Sequence, residues 1–597
     1  MRMRARGRRA RASVTGSAAG SGVSPPQRVP LRDERREWDA IVIGAGAGGL
    51  TAATQLARKG GRVLCLEKYI IPGGSAGHFE REGFDGSKYE ERRAAGEYER
   101  KGYRFDVGSS MMFGLGTEGT TPLITLALAG AGKKIDTVPD PTQIHYHLPK
   151  NLDVKVHRSY EEFLAELGDR FPEEREGIRK FYGECWAVFN ALNSLELKSL
   201  EEPRYLMGQF FRHPVACLTL ASYLTTNTGE VARRYIKDEQ LLRFIDMECF
   251  CWSTVSADLT PMINAGMVFC DRHYGGINYP VGGVGRIPEM LAEGLEEMGG
   301  RIEYKANVKK ILVDPAGRAH GVELLDGTQL HSKVVISNLT RWDTFGRMLE
   351  GTSAAGAGFA EGSDEATFAD RYKKSPSFVS IHMGVKASAL PPDCQCHHIV
   401  LQDWSRLEDT TGEGTLFVSI PTVLDPSLAP EGVHIVHCFT PAWAADFLGP
   451  DGKPLPRDEY EALKARWADR FLERLAAEAL PGLTPDAVVY REVGSPRTHA
   501  KFLGREDGTY GPIPNRRLSG MLPFPMNTTQ VPGLYCVGDS TFPGQGVNAV
   551  AFSGFGCAHR VAVDLGLEPP APEWADRAFK NLLHFGRQTL SSALSDP

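Results

Sequence analysis

Residues 39–67, DAIVIGAGAGGLTAATQLARKGGRVLCLE, place two apolar strand patterns on either side of a glycine-rich turn and a helical segment. The first strand is predicted over 39–44 and the second over 62–67. Between them, the segment 48–59 repeats small and apolar residues every three or four positions, which is typical of an amphipathic helix. Strand, turn, helix and strand within about 30 residues predict a βαβ unit with a parallel sheet.

The turn of this unit contains the pattern Gly44-x-Gly46-x-x-Gly49, and Glu67 stands at the end of the second strand. The first glycine permits a tight turn, the second lets the backbone approach a pyrophosphate, and the third lets the helix pack closely on the strand. The helix N-terminus offers free N–H groups to the phosphates, and Glu67 can accept two ribose hydroxyls. These features predict a dinucleotide site.

Two later segments indicate which dinucleotide is bound. Lys68 and the turn Pro72-Gly73-Gly74 follow Glu67 where a ribityl chain and a flavin ring would run. Far downstream, an apolar strand ends in Gly538-Asp539, which places Asp539 to accept a hydrogen bond from a ribitol hydroxyl.

A helix is then predicted over 548–560, opened by Gly546 and Val547. Its N-terminus can stabilise negative charge at the pyrimidine end of a flavin. The paired glycine segments resemble those of FAD-dependent amine oxidases and carotenoid desaturases, so FAD is the expected cofactor.

A separate NAD(P) site is not expected. Gly282-Gly283-x-Gly285 follows a Tyr-Pro loop and lacks the preceding strand and the acidic partner. NAD(P)H is therefore expected only as an indirect reductant.

The composition of the 597 residues narrows the class of protein. Lys and Arg total 68 against 74 Asp and Glu, giving a formal charge of −6, which excludes a basic nucleic-acid binder. Hydrophobic residues make up 42% and charged residues 24%, as in globular proteins. No apolar run approaches the roughly 18 residues of a membrane-spanning helix. The 11 Cys are thinly spread, which favours a reducing compartment over a disulfide scaffold.

The first 30 residues hold seven Arg and several Ser, but no Asp, Glu or Lys. This composition is typical of an organelle transit peptide. The alternatives are a disordered basic tail and a misread start codon.

The predicted fold class is α/β, with a Rossmann-type, GR2-like FAD-binding domain and an inserted α+β substrate domain. Residues 1–37 are predicted to be a transit peptide and linker, and 568–597 a C-terminal helix or tail. The FAD-binding domain is assigned to 38–150, 276–345 and 501–567. The substrate domain is assigned to a helical part over 151–275 and a sheet part over 346–500.

Three smaller groups of reactive side chains are interpreted as structural. Cys394-Gln-Cys396-His397-His398 suggests a metal, but adjacent ligands fit one tetrahedral site poorly and no metal is expected. Cys249 and Cys251 are interpreted as core packing, with redox chemistry as the alternative. Asp271-Arg272-His273 is interpreted as a satisfied polar turn, with an acid–base role as the alternative.

Six segments carry a more specific resemblance. They are RVLCLEKYIIPGGSAG (62–77), FYGECW (181–186), FNALNSLELKSLEEP (189–203), CDRHYGGINYPVGGVG (270–285), SPSFVSIHMGVKA (375–387) and YCVGDSTFPGQGVNAVAFSG (535–554). Together they resemble the plastid carotenoid isomerases, or prolycopene isomerases, of the carotenoid and retinoid oxidoreductase family. The resemblance covers about 38–567. One departure is a charged stretch over 84–101, where the family runs almost directly on from Gly83; it is interpreted as a surface loop or a gene-model artefact.

The resemblance implies an FAD enzyme that converts poly-cis-lycopene to all-trans-lycopene. It also implies plastid targeting and peripheral contact with plastid membranes beside carotene desaturases. The cofactor-binding residues expected from the motifs and the resemblance are Gly44, Gly46, Gly49, Glu67, Lys68, Gly73, Gly74, Val308, Gly538, Asp539, Gly546 and Val547. Catalytic side chains are not identified by the sequence.

Isomerisation changes no oxidation state, so the obstacle is rotation about a double bond. A turnover of about one per second requires a barrier near 17 kcal/mol, and the bond order must therefore fall transiently. The hypothesis is that reduced FAD does this as a catalyst that is not consumed, by stabilising a transient polyene cation or by exchanging an electron.

Other functions on the same fold stay open. They are a carotene desaturase, a retinoid saturase and a xanthophyll hydratase, and product mass separates all three from an isomerase. A further alternative is a non-catalytic lipid-binding protein like the Rab GDP-dissociation inhibitors, against which the complete glycine motifs and Glu67 count.

Overall fold

The computed structural model describes residues 29–34, 36–82, 102–108, 110–354, 364–513 and 524–568. The chain divides into two units, residues 1–36 and 37–597. The described part of the first unit contains a short 3₁₀ helix, Leu31–Asp33. Most of the predicted transit peptide, the charged stretch 84–101 and almost all of the predicted tail 568–597 lie outside the described residues.

In the described ranges of the second unit, the strands are β1 Trp38–Ile43, β2 Val63–Leu66, β3 His78–Arg81, β4 Tyr103–Asp106, β5 Thr137–Pro139, β6 Thr142–Leu148, β7 Leu152–His157, β8 Asn278–Pro280, β9 Arg301–Glu303, β10 Val308–Val313, β11 Ala319–Leu324, β12 Gln329–Ser337, β13 Ser377–Lys386, β14 His397–Val400, β15 Leu416–Ser419, β16 Val433–Ala442, β17 Val488–Gly494 and β18 Leu534–Cys536.

The α-helices of the same ranges are α1 Ala47–Arg58, α2 Leu123–Gly130, α3 Tyr160–Arg170, α4 Arg175–Asn193, α5 Pro203–Arg212, α6 Pro214–Tyr223, α7 Thr228–Tyr235, α8 Glu239–Ser253, α9 Met262–Tyr274, α10 Arg286–Glu297, α11 Arg341–Phe345, α12 Asp364–Arg371, α13 Arg457–Glu478, α14 Pro496–Leu503 and α15 Val547–Asp564. Among the helices of the described ranges, none combines the length and the apolar run needed to cross a bilayer.

The first sheet contains the predicted βαβ unit. Its parallel strands lie in the order β9-β2-β1-β12-β18, and Ile41 pairs with Leu64 on one side and Val335 on the other. All six residues of β1 are buried, as expected for a strand covered on both faces. Helix α1 packs against α10 and α15. The predicted Rossmann-type fold is confirmed.

An antiparallel extension completes this sheet. Strands β10, β11 and β12 follow one another through two turns, in which Gly317 and Gly327 have φ values of +82° and +85°. These strands return the chain to the parallel core through the long strand β12.

The second sheet has the order β17-β13-β16-β15-β14-β6-β7. Side chains alternate between its two faces. On β13, Val379, Ile381 and Met383 belong to a core shared with Phe471 of α13, whereas Phe378 and His382 line a cavity. The second sheet is thus one wall of that cavity.

One predicted boundary needs correction. The division at residue 150 assigns β6 to the FAD-binding domain, but β6 pairs with β7 and β14 in the second sheet. Its apolar side chains Ile144 and Tyr146 pack in a core shared with the helices over 160–250, which holds the strand there. The other predicted domain boundaries stay predictions.

Candidate functional site

The carboxyl ends of the parallel strands meet at one edge of the first sheet, and the first glycine loop lies there. Gly44 has a φ of +94°, which favours glycine, and its N–H donates to the Leu66 carbonyl at 2.8 Å. Gly46 caps α1. A Cβ on Gly49 would lie 2.4 Å from the Gly44 carbonyl oxygen, so only glycine lets the helix and the strand approach this closely.

Glu67 closes the side of this loop. Its carboxylate accepts hydrogen bonds from the Ala45 N–H at 2.8 Å and from the Tyr69 N–H at 2.7 Å. Burial raises the pKa of Glu67, while these two bonds act in the opposite direction. The carboxylate is fixed at the cavity wall with further lone pairs that can accept ribose hydroxyls.

The second glycine loop reaches the same edge because β18 pairs in parallel with β12. Gly538 has a φ of +106°, and Gly546, at +101°, caps α15. The predicted helix start is one residue late, since α15 begins at Val547. The N-termini of α1 and α15 both open on one cavity, and each offers N–H groups that have no partner within the helix.

Asn338, which the sequence analysis missed, lies between the two glycine loops at the end of β12. Its Nδ2 donates to the Gly44 carbonyl at 3.3 Å. A Cβ on Gly46 or Gly538 would come within 2.7 Å or 2.9 Å of its side chain. Asn338 therefore fixes the spacing of two loops that are almost 500 residues apart in the chain.

Two arginines hold the second loop from the other side. Arg505 forms an ion pair with Asp539 and donates to the Thr509 carbonyl at 2.6 Å. The buried Arg341 donates its backbone N–H to the Ser540 hydroxyl at 3.0 Å. No motif indicates either contact, because each one joins segments far apart in sequence.

The cavity has a volume of about 1010 Å³. Of the expected cofactor-binding residues, all except Gly49 line it. Gly49 is buried under the loop, where it contributes packing. This end of the cavity presents two helix N-termini, a carboxylate at the end of a strand, and glycines at which an added Cβ would clash with neighbouring atoms. These features fit a dinucleotide, and individual contacts to it stay predictions.

The other end of the cavity is apolar. The helices contribute Leu192, Leu220, Trp252, Ile263 and Met267, and the second sheet contributes Phe378, Phe417 and Phe439. The Phe417 and Phe439 rings stack at a centroid distance of 5.0 Å. This chamber suits a long apolar ligand reaching from the helices to the dinucleotide end.

Four buried histidines line the cavity, and three of them, His382, His437 and His499, lie at the second sheet and the helix that follows it. The His382 and His437 rings stack at 4.3 Å, and His499 shares a hydrogen bond of 3.0 Å with the Tyr510 hydroxyl. Burial lowers the pKa of His437 to about 3 and that of His499 to about 4. These rings are therefore neutral at physiological pH and bring no charge to the chamber.

Asp271-Arg272-His273 lies in helix α9, so the predicted polar turn is wrong. The three side chains diverge because consecutive helical residues point about 100° apart. Asp271 lines the cavity, and burial raises its pKa to about 7. Arg272 instead forms a fully buried ion pair with Glu248, with both nitrogen–oxygen distances at 2.7 Å.

We expect Asp271→Asn to stabilise the protein increasingly as the pH rises. The raised pKa of Asp271 makes the folded wild type hold its proton while the unfolded chain loses it above about pH 4. The wild type therefore loses stability as the pH rises towards 7. The loss is roughly 4 kcal/mol, because the pKa of Asp271 is about three higher in the folded than in the unfolded protein. Denaturant titrations of both proteins at pH 5 and pH 8 measure this. A difference between them that does not grow with pH would contradict the placement of Asp271.

Cys249 and Cys251 both touch the cavity, in addition to packing in the helical core. Burial raises the pKa of both thiols, so they are protonated at physiological pH. Protonated thiols are poor nucleophiles, which favours the packing interpretation.

The prediction for the glycines at 282–285 also needs correction. A short strand, β8, does precede them and α10 follows, contrary to the predicted lack of a strand. However, β8 pairs antiparallel with β5 outside the parallel sheet. The Gly282 N–H donates to Asp425 at 2.8 Å and the Val284 N–H to Asp106 at 2.9 Å, so protein carboxylates occupy the amides that a phosphate would need.

Comparison with known proteins agrees with this architecture. The model of the family described as flavin-containing amine oxidoreductase matches residues 47–463. This chain belongs to that family. The expected FAD cofactor is confirmed by this membership, and the two glycine loops are the part of the structure that suits it.

Comparison with individual proteins identifies a narrower group within this family. Prolycopene isomerase, chloroplastic, from Arabidopsis thaliana is 57% identical over 532 residues, which cover 89% of this chain and 84% of the relative. The chain therefore also belongs with the prolycopene isomerases, and the resemblance found in the sequence is confirmed. Phytoene desaturase (neurosporene-forming) from Rhodobacter capsulatus is 26% identical over 533 residues, covering 86% of this chain and 92% of the relative.

Among solved structures, cyclohexylamine oxidase from Brevibacterium oxydans matches with a TM-score of 0.53 and 14% identity. The match covers 89% of this chain and 99% of that chain. At this identity the similarity concerns the fold alone.

Proposed function

We propose that this chain is a carotenoid cis–trans isomerase that converts poly-cis-lycopene to all-trans-lycopene. The observation that carries the proposal is the high identity to prolycopene isomerases over nearly the whole chain, joined to a single cavity with a dinucleotide end and an apolar chamber. A long polyene needs such a chamber because it has no polar group to anchor it.

At the dinucleotide end, we assign the α1 N-terminus to the pyrophosphate, Glu67 to the ribose and Asp539 to the ribityl chain. The N-terminus of α15, at Gly546 and Val547, is assigned to the flavin pyrimidine, where its partial positive charge favours the anionic reduced form. Reduced FAD, when bound there, would supply a negative charge beside the polyene that stabilises a transient cation, in which the bond order is lowered and from which the proton is returned, without net oxidation.

The chamber residues keep the reacting bond dry and in place. Phe417 and Phe439 offer ring faces to the polyene, and such faces attract positive charge. His437 is neutral, and neither of its ring nitrogens has a protein partner among the described residues. These groups can stabilise positive charge that develops on the polyene without presenting a competing cation.

The test supplies poly-cis-lycopene and FAD-loaded protein without oxygen, with the flavin reduced by dithionite beforehand. We expect all-trans-lycopene of unchanged mass, many turnovers per flavin, and no activity with oxidised flavin. A product two mass units lighter would identify a desaturase instead, and consumption of reductant in step with product would contradict the catalytic role of FAD.

We further propose that helices α5 and α6 form the surface through which the protein binds to a lipid bilayer. Phe211, Val215 and Leu218 are exposed by 66%, 76% and 60%. The other side of the same helical pair lines the chamber through Leu206 and Leu220. An exposed apolar patch backed by the cavity suits a bilayer that delivers a lipid-soluble substrate.

Leu218→Glu is expected to reduce binding to galactolipid vesicles containing phosphatidylglycerol by about tenfold or more, since it replaces an exposed leucine that would enter the bilayer by a charge. Leu325→Glu is the matched control, because Leu325 is exposed by 63% on a turn far along the chain. Co-sedimentation measures both, and isomerisation of detergent-solubilised substrate should be unchanged. Equal effects of the two substitutions would contradict membrane contact through α5 and α6.

We also propose plastid import directed by residues 1–37 and action beside carotene desaturases on the same membranes. The relatives named chloroplastic support the first part. A fluorescent protein carrying residues 1–37 should enter plastids, and the same fusion with the arginines of this segment replaced by glutamine should stay outside.

A further inference from the structure

Three histidines meet on a face of the second sheet outside the cavity. His145 and His147 are two positions apart on β6, so they share one face. His398 of β14 pairs in parallel with His145 and joins them. The ring centroids of His145 and His147 are 4.1 Å apart, and one nitrogen of each ring lies within 4.8 Å of the other two.

The outer nitrogen of each ring faces an acceptor. His145 Nε2 lies 2.9 Å and His147 Nδ1 3.4 Å from Asp153 Oδ2. His398 Nε2 lies 3.0 Å from the Gln395 carbonyl. Each outer nitrogen therefore carries the hydrogen.

The inner nitrogens are left with lone pairs, because a neutral imidazole has only one N–H. His147 Nε2 and His398 Nδ1 are nevertheless 3.1 Å apart. His145 Nδ1 lies 3.0 Å from Gln395 Oε1, whose amide nitrogen is used by the Asp393 carbonyl. In this tautomer of the neutral rings, acceptors face acceptors at both places, and either a proton or a metal cation between them relieves the repulsion.

We propose that His145 Nδ1, His147 Nε2 and His398 Nδ1 bind a divalent transition-metal ion, with Zn²⁺ as the best match, and that Gln395 Oε1 is the fourth ligand. Zn–N bonds of about 2.0–2.1 Å in a tetrahedron place neighbouring nitrogens about 3.3 Å apart. His147 Nε2 and His398 Nδ1 are 3.1 Å apart, and the three rings each bring a nitrogen within 4.8 Å of the other two. Metal-bound histidines usually donate their other N–H to a carboxylate or a backbone carbonyl, as all three do here.

The ion would fasten β14 to β6 and, through Asp153, to β7 at the end of the sheet. Within the run from Cys394 to His398, adjacent residues fit one tetrahedral site poorly, and no metal is expected from the sequence. His397 and His398 indeed point to opposite faces of β14. His145 and His147 come from another strand, and only the sheet brings them to His398. The proposal does not depend on the isomerase activity.

The test uses the full-length, tag-free, flavin-loaded protein, stripped with a chelator and titrated with ZnCl₂ by calorimetry. We expect one equivalent of zinc to bind at the three histidines, and a melting temperature that rises with zinc. X-ray absorption should show nitrogen ligands at about 2.0 Å. His147→Gln and His398→Gln should each weaken binding about 100-fold or more, and Asp153→Asn about 10- to 100-fold.

His320→Gln is the matched control. His320 and His331 form an exposed stacked pair with Nδ1 atoms 3.4 Å apart, so they could hold zinc adventitiously. Zinc held instead by the buried group of Asp140, Cys396 and His397 would disappear in Cys396→Ser. The proposal is overturned if the wild type binds no zinc saturably, or if the equivalent survives His147→Gln. An unchanged flavin spectrum in each variant shows that the fold is kept.

Discussion

Glu248→Gln is expected to lower the free energy of unfolding by about 3–5 kcal/mol, because it leaves the buried guanidinium of Arg272 without its counter-charge. Both side chains have no exposed surface. The Glu248 carboxylate also accepts from the Tyr146 hydroxyl at 2.7 Å and from the Tyr182 hydroxyl at 3.2 Å. Urea titration followed by circular dichroism measures the loss.

The matched control is Glu413→Gln. Glu413 forms a similar two-point ion pair with Arg470, at 2.8 Å and 2.9 Å, but about two fifths of each side chain is exposed. Water screens this pair, so we expect a loss of about 0.2–1 kcal/mol. The double replacement Glu248→Leu with Arg272→Met should recover much of the stability, since it removes both buried charges. Equal losses for Glu248→Gln and Glu413→Gln would contradict the buried pair.

Gly49→Ala is expected to destabilise the protein by about 1–3 kcal/mol or more and to reduce the flavin content of the purified protein at least several-fold. The new Cβ would lie 2.4 Å from a backbone oxygen, Gly44 O, which cannot rotate away as a side chain can. Either α1 or the first glycine loop must shift, and both belong to the proposed pyrophosphate site. Flavin absorbance per protein and thermal unfolding are the measurements.

Gly183→Ala separates the effect of the clash from that of a helical glycine replacement in general. Gly183 lies exposed in α4 and would place its Cβ in open space. Because alanine favours a helix over glycine by about 1 kcal/mol, this change should be neutral or stabilising and leave the flavin content unchanged. If Gly49→Ala behaved in the same way, the close contact between helix and strand would be refuted.

The elements around the first glycine motif could be predicted because their signals are local. A buried strand, a left-handed glycine and an apolar helical repeat need only a few neighbouring residues to be recognised. The predicted cofactor-binding residues, from Gly44 to Val547, line one cavity, with the exception of Gly49. They converge because parallel strands end at a shared edge of the sheet, which brings their loops together.

Other parts of the site had no local signal. Asn338 and Arg505 are ordinary polar residues in sequence, and they become part of the site only through contacts with glycine loops far away. The sequence interpretation of Asp271-Arg272-His273 is a satisfied polar turn. In the structure α9 continues through them, and Glu248 on a neighbouring helix compensates the charge that this buries.

The sequence by itself determined that the chain folds around a βαβ unit, that FAD is the cofactor, and that the chain belongs with the carotenoid isomerases. Only the tertiary structure decided where β6 belongs, which polar groups share the chamber, and that His398 meets His145 and His147. The reason is that backbone conformation and periodicity depend on near neighbours, whereas the surroundings of a side chain depend on which distant strands the sheet places beside it.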